Sequence, residues 1–181
     1  MNVIKILLVF ILFCNNSFSQ KSEVGNWLVY FGNQKISDKW NWQNEVQYRS
    51  YDFVCDTNQL LLRTGIGYNL TENNNNNVLL GYGFINTQKY VSNSKEKLQV
   101  NEHRIYQQFI TKQNFGRLFL QHRYRLEERF IESDLELRLR YFLEFNIPIN
   151  HKTLDKNNIY LAAYNEIFIN TKSSIFDRNR L

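Results

Sequence analysis

Residues 135–149 read LELRLRYFLEFNIPI. Leu135, Leu137, Leu139, Tyr141, Leu143, Phe145 and Ile147 alternate with Glu136, Arg138, Arg140, Phe142, Glu144 and Asn146. A period of two belongs to a β-strand, whose successive side chains point to opposite faces. One face of this strand is apolar and the other carries charge. The run is also long. Ordinary globular strands have about five or six residues. One of about twelve, at about 3.3 Å per residue and tilted by about 40 to 45°, rises through nearly 30 Å, the hydrocarbon thickness of a bilayer.

The same alternation recurs outward from this stretch. Residues 117–130 set Leu118, Leu120, His122, Tyr124 and Leu126 against Arg117, Phe119, Gln121, Arg123, Arg125, Glu127 and Arg129. Residues 40–51 set Trp40, Trp42, Asn44, Val46 and Tyr48 against Asn41, Gln43, Glu45, Gln47 and Arg49. Residues 59–70 behave likewise, with Arg63 on the polar side, and further runs lie at 27–36, 78–90, 101–113 and 159–170. Eight strands are visible and a ninth begins at Phe176. The connections are short: Ser37-Asp38-Lys39, Asn114-Phe115-Gly116 and Glu132-Ser133-Asp134, with the asparagine run 73–77 as a low-complexity turn to which no function is given. The pattern predicts an all-β fold, an antiparallel up-and-down transmembrane β-barrel forming one domain.

Composition agrees once the two faces are separated. The chain has 181 residues, 43% of them hydrophobic, which is too many for a disordered polymer. Its mean hydropathy of −0.48 averages two opposite faces and so looks soluble. Beyond the leader no apolar stretch approaches the roughly 18 to 20 residues of a membrane helix.

The leader is residues 1–19. A single cation, Lys5, precedes an apolar run at 6–13, and Ser17 and Ser19 stand where a signal peptidase requires small residues. The alternative is a buried first helix, which the short apolar core and the polar flank Asn15-Asn16-Ser17 disfavour. A lipoprotein cut before Cys14 is disfavoured by Phe13. Cleavage removes Cys14 and leaves Cys55 alone, so no intrachain disulfide can form. The domain then spans residues 20–181.

Alternation alone fits a lipocalin-like barrel with its apolar face inward as well as a membrane barrel with that face on lipid. The cations discriminate. Every lysine after the leader lies in a turn or at a strand end, whereas Arg49, Arg63, Arg104, Arg123, Arg125, Arg129, Arg138 and Arg140 lie within strands on the polar face. An enclosed polar interior favours the planar, weakly hydrated guanidinium. A hairpin closing at 131–134 sets Arg129 against Glu136 and Glu127 against Arg138. It also brings Arg125 to Arg140, a clash that Glu102 or Tyr106 could relieve from a neighbouring strand. With Glu144 these residues form the expected lumen charge network; a solvated ladder of weak pairs is the alternative. Asn44, Gln107 and His122 interrupt the apolar face, as a protein contact or a phase shift would.

Enzymatic chemistry finds little support. The serines lie mostly in loops, His103 and His122 project on the apolar side, and His151 lies in a turn, so no serine–histidine arrangement for a lipid hydrolase can be assembled. No metal-ligand spacing and no cofactor motif is present. The arginines alternate with apolar residues instead of forming an exposed basic patch, which excludes a nucleic-acid surface. Their excess over glutamate suggests a small anionic solute in a pore, or a lumen plugged by ion pairs.

Several segments carry a resemblance: QYR at 47–49, LGYG at 80–83, NEHR at 101–104, HRYRLE at 122–127, RLRY at 138–141, YNEIF at 164–168 and FDRNR at 176–180. Together they resemble the domain of unknown function 2490 family, outer-membrane barrel-like proteins of Gram-negative, Bacteroidota-type bacteria. The resemblance implies an outer-membrane location, with membrane lipid and the barrel assembly machinery as partners. It transfers no activity and no catalytic residue. Family members continue past the FDRNR segment to 10–12 strands, so a fragment lacking its last strands is expected; an eight-stranded barrel with a frayed tail is the alternative.

Overall fold

The computed structural model describes residues 25–92, 94–153, 158–172 and 176–180, so the expected leader lies outside the described residues. Nine strands follow one another: β1 (Asn26–Lys35), β2 (Trp40–Ser50), β3 (Thr57–Asn69), β4 (Asn76–Tyr90), β5 (Lys97–Phe115), β6 (Leu118–Ile131), β7 (Asp134–Pro148), β8 (Tyr160–Asn170) and β9 (Phe176–Arg180). They form one antiparallel sheet in chain order, an up-and-down meander with no helix among the described residues. The β6–β7 register sets Phe130 opposite Leu135, Arg129 opposite Glu136 and Arg125 opposite Arg140, as the alternation predicts. Among the described residues β1 and β9 share no ladder.

Three local readings are corrected. β5 runs from Lys97 to Phe115, well beyond 101–113. Asn114 and Phe115 belong to that strand, and the turn is Gly116-Arg117, a two-residue loop made possible by Gly116 at φ 66°. The asparagine run is not all turn. Asn76 and Asn77 open β4, and the buried Asn77 donates to Asn41 Oδ1 at 2.9 Å and to Asn69 Oδ1 at 2.8 Å.

Burial separates the two faces in the reverse of a water-soluble order. Leu80 is 59% exposed and Trp40 46% on the apolar face, while Glu127 is 0% exposed on the polar one. A single sheet can bury charge this way only by curving round it. Tyr106 on β5 shows the curvature: its hydroxyl crosses β4 to lie 3.5 Å from the Thr64 carbonyl on β3. It passes over Gly81, where a Cβ would overlap its ring, and Gly81 faces Gly65 in the ladder. One open cavity is lined by Trp27 and Arg49 from β1 and β2 together with Tyr164 and Arg180 from β8 and β9, so the first and last strands approach each other across the inner face.

Candidate functional site

The inner face of β6 presents Arg123, Arg125, Glu127 and Arg129 in alternate positions, flanked by Glu102, Arg104, Tyr106 and Gln108 of β5 and by Glu136, Arg138 and Arg140 of β7. Glu127 is the hub. Its carboxylate lies 2.7 Å from Arg140, 3.4 Å from Arg104 and 3.5 Å from Arg125. Glu102 accepts from Arg104 and Arg129, each with Nε at 2.5 Å, and Arg129 reaches Glu136 at 2.9 Å. Glu166 of β8 accepts from Arg140 at 2.6 Å and Arg123 at 2.8 Å.

The arginines also stack on rings. Arg125 Cζ lies 4.7 Å from the Tyr106 ring centre, and Arg125 donates to Gln108 Oε1 through Nε at 2.9 Å. Arg140 lies 4.6 Å from the ring centre of the buried Phe168, and Arg123 lies 4.6 Å from that of Phe142. Guanidinium suits this setting because it stacks and donates in several directions while shedding hydration cheaply.

The register places Glu127 opposite Arg138, yet Arg138 bonds Asn170 at 2.8 Å and Asp177 at 3.3 Å. The clash of Arg125 with Arg140 is relieved by Glu127 itself, which contacts both, with Tyr106 stacked on Arg125; Glu102 is committed elsewhere. Arg63 pairs with Glu45 at 3.0 Å. Glu144 accepts from Gln121 at 3.3 Å and Arg49 lies over the Trp27 ring at 4.4 Å. Glu45, Gln108, Glu166, Phe168, Asn170 and Asp177 are additional members. Glu45 and Glu166 stand in the polar alternation of their strands; Glu45 faces Arg63 directly in the β2–β3 ladder, whereas Glu166 meets Arg123 across β7, a contact that depends on how the sheet curves.

The apolar face has its own polar residues, joined in pairs. Trp42 Nε1 donates to Thr64 at 2.7 Å, Asn44 to Gln34 at 2.9 Å and Gln107 to Glu128 at 3.2 Å. His103 and His122 meet the hydroxyls of Tyr82 at 2.5 Å and Tyr141 at 2.9 Å, the donor depending on the tautomer. These bonds satisfy Asn44, Gln107 and His122 within the sheet's own outer surface. They need no phase shift in the strands, all of which keep their register there. Among the described residues no group of three or more His, Cys, Asp or Glu side chains could hold a metal ion.

Residues 24–181 match the family model described as Protein of unknown function (DUF2490), the family that the quoted segments resemble. No curated protein and no solved structure matches the chain.

Proposed function

The chain belongs to the DUF2490 family, and we propose that it is an outer-membrane β-barrel protein, a structural element or narrow passive pore whose lumen is the Arg/Glu/Tyr network. The observation that carries this reading is the inverted burial. Apolar side chains such as Leu80, Leu139 and Trp40 are exposed along one face, and Glu127, Arg125 and Glu166 are buried on the other. Water would not tolerate an apolar band of that extent, whereas lipid requires one. The paired polar groups of the outer face support the same reading, because a donor facing hydrocarbon has no water to fall back on.

On this reading the leader exports the chain, the assembly machinery inserts it, and its surroundings are outer-membrane lipid. The apolar-inward lipocalin alternative requires the opposite burial. A lipid hydrolase requires a nucleophile beside a histidine, and both strand histidines bond tyrosines on the outer face. The reading is tested by fractionation. Extraction only by detergent, with gel mobility that changes on heating, is the expected result; release by osmotic shock overturns it.

A further inference from the structure

On β3, β5, β6 and β7 every inner arginine has a carboxylate oxygen within 3.5 Å. On β9, Arg178 lies 3.3 Å from Asp177. Two arginines break the pattern. Among the described residues Arg49 and Arg180 meet no carboxylate. Each has a ring contact instead, Arg49 with Trp27 at 4.4 Å and Arg180 with Phe168 at 5.5 Å. Arg49 Nε is buried and has no hydrogen-bond partner there.

Both residues line one open cavity of about 730 Å³, with Trp27 and Tyr164 as aromatic walls and Ser50 and Asn58 as further polar groups. Two guanidinium groups that meet no carboxylate among the described residues are thus brought to one place. Arg178 and Arg180 are close enough to Arg49 for their charges to repel it. Like charges facing a shared space destabilise one another until an anion enters, and a guanidinium fork accepts two oxygens of a carboxylate or phosphate at once.

We propose that this cavity is an oxyanion-binding site, in which Arg49 and Arg180 hold the carboxylate or phosphate group and the Trp27 and Tyr164 rings cover the rest of the ligand. The site deepens the pore reading by giving an anionic solute a place to bind at one end of the inner face. It is tested separately from membrane location.

The full chain in detergent micelles is titrated with inorganic phosphate and, in a second arm, with benzoate, following heat and tryptophan emission. Saturable binding in either arm is expected, and the arm that binds tighter identifies the oxyanion. Arg49→Gln and Arg180→Gln should each weaken it at least tenfold while keeping heat-modifiable mobility. Trp27→Phe should keep the heat and lose the emission change, because Trp40 and Trp42 lie on the outer face. No saturable binding in either arm, unchanged affinity in both arginine variants, or an emission change that survives Trp27→Phe overturns the proposal. None of those outcomes alters what fractionation shows.

Discussion

Arg140 Nη1 lies 2.7 Å from Glu127 Oε1, although the two residues are not opposite each other in the β6–β7 ladder. Glu127 faces Arg138 in the register and Arg140 faces Arg125, so the contact runs along the diagonal. That diagonal lets a single wholly buried carboxylate separate Arg125 from Arg140 and still reach Arg104 on β5.

Glu127→Gln removes the charge that three arginines share. Loss of one partner in a buried ion-pair cluster costs about 3–5 kcal/mol because the remaining charges stay buried. The substituted protein should unfold at markedly lower urea in micelles and lose the heat-modifiable mobility that the proposed barrel is expected to show. Wild-type stability in this variant would mean that water or the remaining glutamates already neutralise the cluster.

Gly81→Ala tests the approach of Tyr106 to the β4 backbone. The added methyl overlaps the Tyr106 ring, so the ring must move and its stacking on Arg125 is disturbed. Overpacking of this kind costs about 1–3 kcal/mol. The same substitution in a Tyr106→Leu background should cost much less, and equal costs in both backgrounds would place the strain elsewhere.

Leu80→Arg separates lipid from water on the outer face. Leu80 is 59% exposed, so in water the change would be nearly neutral. Against hydrocarbon an arginine costs up to about 2–4 kcal/mol, depending on depth. Folding into lipid vesicles, followed by urea titration, should show a loss of that order.

Asp52 lies in the 51–56 connection, outside the strands. Burial pushes its carboxyl up, but the hydrogen bond from Ser50 and those from the backbone N–H groups of Asp56, Cys55 and Val54 outweigh it and leave the pKa below the ordinary 3.8. A lowered folded pKa means that the group stabilises the loop above the unfolded value, and that this contribution is lost as pH falls through the folded one. The amide resonances of Val54 and Asp56 should therefore titrate together below about pH 4. Asp52→Asn should abolish that titration, and an unchanged titration in the variant would assign it to another acid.

The sequence by itself shows eight strands and the start of a ninth, their up-and-down order and the division of each strand into two faces. These follow from a period-two pattern that a single strand carries alone. It places Arg129 opposite Glu136, since a short turn and a fixed pleat leave one register that keeps all the leucines on one side. It also separates lysines in turns and near strand ends from arginines within strands, with Lys112 the exception, since β5 runs on to Phe115. Tertiary structure decides which charges meet. Glu166 joins Arg123 and Arg140, and Tyr106 reaches across β4 to β3, because the sheet's curvature brings non-neighbouring inner positions together. It also decides that Asn77 is buried and that Arg49 shares a cavity with Arg180, three-quarters of the chain away in sequence. Alternation is local and survives in one dimension. Partner choice depends on distances across a curved surface, which a linear pattern does not contain.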